Sequence, residues 1–507
     1  MTTAIQNFLE TAPEGAAHVL QLLAIAESLT DNVARDIYVL EPIDGLSPDA
    51  FVKALHYADF VAARNSEWHF LPEARRELQA LRGSSPDVVN AAHRALLALG
   101  AESDHALAGS VIPAYLFTDA GRAYHSAAIG EREEALALYG KAAKGPLTGA
   151  QWLASKLAIE QEDRGILPAG RIETMFLRAM VWVREGDRRK AEPLLRRIAS
   201  SDEIRIEVAI SCHVLAGIIS RTERTTAEQL FRKSILQKER LHDLAGQAHS
   251  LHSLANLIGR DRNRRSEAEE LYRRSIEIGN EIENRYHVAQ TLHSLANLIG
   301  RDPNRHGEAE ELYRYSVKIR EEIGDRHGIA QTMHSLANLI GRDRNRHGEA
   351  EGLYRRSVKI LEEIGDRYGI AQTMHSLANL IGRDRNRQNE AEELYRRSIE
   401  MDESLGNQYG VAQTMHSLAN LIGRDRNRRG EAEELLRESL RIGDELRNWR
   451  HQAQVLRSLS FVVEHRSPRE AEQLLEQSLE LNRRERDRSG ENLVRRSLQQ
   501  LRERYRL

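Results

Sequence analysis

Five histidines stand at one interval in this chain: His252, His293, His334, His375 and His416, each 41 residues after the last (293 − 252 = 41). Each opens the same phrase, HSLANLIGRD, so an asparagine follows four residues later at Asn256, Asn297, Asn338, Asn379 and Asn420. In four copies a glutamine stands three residues earlier, at Gln290, Gln331, Gln372 and Gln413. Spacings of three and four place all of these on one face of a helix. A carboxamide carries both donor and acceptor, so a column of asparagines can pair with the backbone of an extended peptide whatever its side chains. A neutral imidazole adds hydrogen bonds, and a protonated one adds charge against an acidic ligand at lower pH. Metal ligation is not the expected chemistry, because the histidines fall one to a repeat with no cysteine or local carboxylate cluster beside them. No cofactor is expected. The chain contains no GxSxG, HExxH or GxxxxGK[ST] motif, and its one cysteine, Cys212, sits in an apolar helical context that reads as core. A binding protein is expected rather than an enzyme.

The elements that position these residues can be read from one copy, His327 to Arg367. Its first helix covers GIAQTMHSLANLIG, with Ile329, Met333, Leu336, Ala337 and Ile340 on the apolar face. Its second covers GEAEGLYRRSVKILEEIG, with Ala350, Leu353, Tyr354, Ser357, Ile360 and Ile364 on one face. RDRNRH between them reads as a turn, and Gly365 ends the second helix. Neither helix buries its stripe alone, so the pairs must stack on one another.

The order of leucine, small residue, alanine, aromatic and small residue resembles the tetratricopeptide repeat (TPR). Leu254, Ala255, Ala268, Tyr272 and Ser275 fill those places in one copy, and Leu336, Ala337, Ala350, Tyr354 and Ser357 in another. The long turn and second helix resemble the repeats of kinesin light chain and of bacterial signalling ATPases. Weaker copies flank the five. Arg457 falls 41 residues after His416, and His213 falls 39 before His252. Earlier units carry Ala179, Trp182, Ala191 and Leu195, then Ala123, Ala135, Tyr139 and Ala142. The expected fold is therefore all-α, a right-handed superhelix of about nine helix pairs. Its domains are a small helical module at 1–105, divergent repeats at 106–204, the regular solenoid at 205–488 and a polar capping helix at 489–507. The resemblance implies that the first helices line a concave groove, with the His, Asn and Gln columns pointing into it. That is similar to the asparagine ladder of O-linked N-acetylglucosamine transferase. Gly217 upstream, and Arg457 and Phe461 downstream, limit such a ladder to the middle five units.

The turns make a second repeated surface, a basic edge. It comprises Arg260, Arg262 and Arg264; Arg301 and Arg305; Arg342, Arg344 and Arg346; Arg383, Arg385 and Arg387; and Arg424, Arg426 and Arg428. Such an edge could follow phosphates. An aspartate sits inside each run, EAE follows at once, and no aromatics are interleaved, so a solvated, salt-bridged turn is the default expectation.

The period is absent from about the first 105 residues. Ser47 and Pro48 start a helix there, and VAARNSEWHFL alternates like a hairpin around RNS. With the following PEARREL, these resemble the winged-helix module of STAND and NLR ATPases, in which Trp68, His69 and Arg75 match the closing pattern. The nucleotide-binding module of that family is missing. Lys+Arg 73 against Asp+Glu 76 gives a net charge of −3, which argues against a surface built wholly for nucleic acid or anionic lipid. With no signal peptide or membrane span, a soluble cytoplasmic protein is expected. The expected partner is a peptide or protein held in the groove. The family resemblance implies bacterial signalling or defence with a separately encoded effector, a protease among the candidates. The rival expectations are a transcriptional regulator using the N-terminal module on DNA, and a nucleic-acid sensor using the arginine edge.

Overall fold

In the computed structural model, residues 170–506 are described without a break. Before them the described parts are helix α1 (Pro48–Leu55), strands β1 (Val61–Arg64) and β2 (Glu67–Phe70), and scattered positions. The strands form an antiparallel hairpin with Val61 opposite Phe70 and Arg64 opposite Glu67, as the alternation around RNS implies. Proline opens α1, as expected of its fixed φ. Arg75, the other N-terminal helices and the boundary at 105 lie outside the described residues, as does most of the unit containing Tyr139 and Ala142.

The chain divides into two compact units, Met1–Leu257 and Ile258–Leu507. In the first, α2 (Ile172–Arg184) pairs with α3 (Arg188–Ala199), α4 (Ile206–Ile219) pairs with α5 (Arg224–Arg240), and α6 (Leu244–Ile258) follows. Cys212 is fully buried in α4, and that burial pushes its thiol up to about 11. In the second unit α7 (Arg265–Glu281) is followed by five helix pairs and a last helix. The pairs are α8 (Arg285–Ile299) with α9 (His306–Glu322), α10 (Arg326–Ile340) with α11 (His347–Ile364), and α12 (Arg367–Ile381) with α13 (Gln388–Ser404). After them come α14 (Gln408–Ile422) with α15 (Arg429–Glu445), α16 (Trp449–Val463) with α17 (Pro468–Arg484), and finally α18 (Arg488–Tyr505). Within the second unit each second helix from α9 to α17 packs against the first helix of its own pair and against the helix that follows, and the first helices α8, α10, α12, α14 and α16 touch in succession.

Local chemistry sets these boundaries. The carboxylate of Asp325 accepts the Gly328 amide at 2.9 Å and starts α10; the side chains of Asn284, Asp366, Asn407 and Asn448 likewise cap the other first helices of the second unit. The turn expected at RDRNRH holds one 3₁₀ turn, Arg344–Arg346, capped by Asp343. Gly365 ends α11 in the left-handed region at φ 72°, where glycine carries no Cβ penalty. Ala337 and Ala350 are fully buried where the helices of one pair cross, and the Ser357 hydroxyl donates across that crossing to the Ala330 carbonyl at 2.9 Å. One expected core residue is misplaced. Ile364, the last residue of its helix, is 40% exposed, and Leu361, three residues earlier, is buried instead. No described helix is long and apolar enough to cross a membrane.

Candidate functional site

The repeated histidines tie one repeat to the next. Nδ1 of His293, His334 and His375 lies 3.1, 3.1 and 2.8 Å from the hydroxyls of Thr332, Thr373 and Thr414, each on the following first helix. Thr332 donates its own proton to the Gly328 carbonyl, so it accepts from His293, which therefore carries its proton on Nδ1. His416 reaches Ser458 of the last pair through Nε2 at 2.8 Å. The rings of His293, His334 and His375 also stand edge-on to Tyr313, Tyr354 and Tyr395, with centroids 5.5, 5.5 and 5.7 Å apart. Burial holds His334, His375 and His416 down at about 4, and His252 of the first unit likewise. The expectation that these four charge against an acidic ligand at mildly low pH is therefore corrected: the packed imidazole loses its water and stays neutral.

The asparagines behave differently. Asn256, Asn297, Asn338, Asn379 and Asn420 are all exposed. The Tyr313, Tyr354 and Tyr395 hydroxyls donate to Oδ1 of Asn297, Asn338 and Asn379 at 2.7, 2.7 and 2.9 Å. Each phenol is buried to its oxygen and raised well above its ordinary value. The bond occupies the carboxamide oxygen, leaving Nδ2 as an outward donor in three consecutive repeats. At Asn420 the aromatic is replaced by Leu436, so that lock is absent. Gln290, Gln331, Gln372 and Gln413 are exposed one turn earlier along the same helices.

A further row was missed by sequence reasoning. Tyr286, Tyr368 and Tyr409, seven residues before the histidines, are 57%, 55% and 48% exposed, with His327 in the equivalent place between them. Their signal was the same repeat spacing at aromatics that the apolar faces did not use. Tyr368 borders a cleft of about 460 Å³ shared with Gln331, His334, Asn338, Leu361 and Gln372.

The arginine edge resolves into three kinds of residue. Arg305, Arg346, Arg387 and Arg428 each pair with two glutamates, one on the preceding second helix and one on their own: Arg346, for example, meets Glu310 at 2.6 Å and Glu349 at 2.7 Å. Arg264 pairs with Glu267 at 2.8 Å. Arg301, Arg342 and Arg383 each donate to the carbonyl of the glycine 42 residues back, at 3.0–3.1 Å. Arg260, Arg262, Arg344, Arg385, Arg424 and Arg426 are exposed, with no ion-pair partner among the described residues. The run is thus partly neutralised and partly committed to joining repeats, and it is not a uniform cationic strip. No group of three or more His, Cys, Asp or Glu side chains among the described residues is placed to hold a metal.

Family models described as tetratricopeptide repeat match residues 247–286, 328–404 and 411–445. No curated protein matches the chain. Among solved structures, the chain is similar to BtubC (BKLC) from P. vanneervenii, at 20% identity and a TM-score of 0.39, over 43% of this chain and 91% of that one. It is also similar to a STAND protein with a tetratricopeptide repeat sensor from Pyrococcus horikoshii, at 13% identity and 0.48, over 95% of this chain but only 65% of that one. A third is a Rap protein complexed with competence and sporulation factor, at 14% identity and 0.44, over 76% and 97%. Residues 247–286, 328–404 and 411–445 thus carry tetratricopeptide repeats within an all-α fold.

Proposed function

We propose that this chain binds an extended segment of a protein partner along the exposed Asn, Gln and Tyr rows of its first helices. Tetratricopeptide arrays are typically non-catalytic interaction scaffolds, and the matching family models indicate no catalytic family. The observation that carries the finer reading is the Tyr–Asn lock. A carboxamide that served only to join repeats would spend both ends on protein; here the oxygen is spent on a buried phenol and the amide is left facing outward, at the same position in Asn297, Asn338 and Asn379. A row of such donors suits backbone carbonyls, which every peptide has. The exposed tyrosines add flat apolar surface beside them. Affinity is spread over many contacts, each worth about 1 kcal/mol or less. The concave groove is the expected seat of these rows. In this reading the chain is a sensor or scaffold in bacterial signalling or defence, and its effector, a protease among the candidates, is encoded separately.

Panning a random peptide display library against the full chain tests the reading. Enriched peptides should bind wild type and lose at least tenfold in affinity to the triple variant N297A/N338A/N379A. Tyr313→Phe, Tyr354→Phe and Tyr395→Phe together, which free the carboxamide to rotate, should weaken binding less. Enriched peptides that bind the triple alanine variant undiminished would sink the reading.

A further inference from the structure

Near-identical repeats raise a question the groove does not answer: what makes each second helix dock on the right neighbour? The buried Ser and Ala positions of the helix pairs are the same in copy after copy. Among the interior positions that vary, one changes in both size and charge. Reading at the period along the second helices, it holds Lys238, Gly279, Arg320, Leu361, Asp402 and Gly443, and Asn482 after a step of 39. All five side chains larger than glycine are at most 7% exposed.

Two further positions change with it. Eight residues on, the third residue of the next first helix is Gly246, His287, Gly328, Gly369, Gly410, His451 and Gly490. Glycine in the second helix always faces histidine, and every larger residue faces glycine. The packing shows why. His287 and His451 lean over Gly279 and Gly443, whose added Cβ would lie 3.3 and 3.1 Å from their Cδ2 atoms. Conversely, a Cβ on Gly369 would lie 2.8 Å from Leu361 Cδ2, one on Gly410 2.6 Å from the Asp402 carboxyl carbon, and one on Gly490 2.8 Å from the Asn482 carboxamide carbon.

The residue between, five after the first, complements the interior residue where that residue is charged; beside the neutral Leu361 and Asn482 it is Asp366 and Asp487. It is Asp243 and Asp325 beside the buried cations Lys238 and Arg320, and Asn407 beside the buried Asp402, whose carboxylate accepts from Asn407 Nδ2 at 2.7 Å. Beside Gly279 and Gly443 it is Asn284 and Asn448. Where histidine fills the space it bonds the invariant serine: His287 to Ser275 at 2.8 Å, His451 to Ser439 at 2.9 Å.

We propose that these three positions form a pairing key that fixes which second helix docks on which first helix, and so holds interchangeable repeats in order. No two consecutive junctions carry the same key. Slippage by one repeat would set Gly279 against Gly328, leaving a void, and Asp402 against His451, making a clash that also strands a carboxylate. The proposal is independent of what the groove binds.

Urea unfolding of full-length variants, followed by far-ultraviolet circular dichroism, tests the key in size and charge. Gly369→His alone meets Leu361 and lowers the midpoint; L361G/G369H, which restores the size match of the 279/287 junction while keeping the Asp366 cap, regains most of that loss. Asp402→Arg alone is strongly destabilising, whereas D402R/N407D, which copies the 320/325 junction, is tolerated. Failure of either single variant to fold while its double folds is the same result in stronger form. Additive losses in both doubles would overturn the complementarity. Ordering has its own readout. Giving Leu, Asp and Gly to both histidine junctions, at 279/284/287 and 443/448/451, keeps each pair matched but removes the penalty on slippage. Native stability should hold while the refolded yield from urea falls at least twofold. An unchanged yield would overturn the ordering role.

Discussion

Acid should loosen this array well before its carboxylates titrate. His252, His334, His375 and His416 sit at about 4, against an ordinary value of 6.5, because packing strips water from the ring. Below pH 6.5 the unfolded chain gains a proton at each of these sites and the folded chain does not. Stability therefore falls as pH drops from 6.5 to about 4, and the loss saturates below that. A shift from 6.5 to 4 corresponds to an upper bound of about 3 kcal/mol per histidine at ~1.4 kcal/mol per pH unit. One edge of each ring reaches solvent, which reduces the figure to roughly 1–2 kcal/mol each, or ~4–8 kcal/mol over four sites. The assay is the urea midpoint of the full chain between pH 7.5 and 4.5, beside the variant H334N/H375N/H416Q. Asparagine places a non-titrating amide near Nδ1, which His334 and His375 use, and glutamine places one near Nε2, which His416 uses. Wild type should lose midpoint steadily below pH 6.5, and the variant should lose distinctly less. A wild-type midpoint flat from pH 7.5 to 5 would refute the burial argument, and so would a variant with the wild-type slope.

Two other outcomes follow from the packing. Glu351 is held at about 2, mainly by hydrogen bonds from Arg387 and also by Arg355, so its contribution is complete above 4.5 and is lost as pH falls toward 2; E351Q should cost under about 1 kcal/mol at pH 7, since the arginines are a third to a half exposed, and should flatten the midpoint only below pH 4.5. Ile364→Ser should change stability by less than about 0.5 kcal/mol, while Ile340→Ala, at 3% exposure, should cost about 2–4 kcal/mol, both measured by urea unfolding.

Much of this was legible in the sequence because its signals are local or periodic. Ala337, Ala350, Tyr354 and Ser357 announce a helix pair by spacing alone, and Gly365 announces where its second helix stops. The error at Ile364 came from extending the apolar stripe one turn past the point where a neighbour is available to cover it. The His and Asn columns could be placed on one face, but their partners could not be read: the partner of His334 is a threonine 39 residues on, and that of Asn338 is a tyrosine 16 residues on in another helix. The interior key was present in the letters as a position that changed in size and charge from copy to copy. Its meaning appears only when residues eight apart, across a helix boundary, are found in van der Waals contact.

Histidine and asparagine recur together, yet the structure separates their duties. A duplicated scaffold residue should have all its polar atoms satisfied within the array, because an unmet buried group costs about 1–3 kcal/mol per copy. The histidines approach that state: His293, His334 and His375 bond through Nδ1 and pack on tyrosine, and His416 bonds through Nε2 and packs on His451. Their uniformity therefore follows from stacking alone and is no argument for a ligand. The asparagines do not need their exposed amides for stacking. The buried Tyr354 hydroxyl uses only the carboxamide oxygen of Asn338. What the asparagine adds is a donor held in one orientation at the surface, repeated in three consecutive repeats. Duplication explains why the copies agree, and orientation by a buried phenol is what a binding surface requires of them.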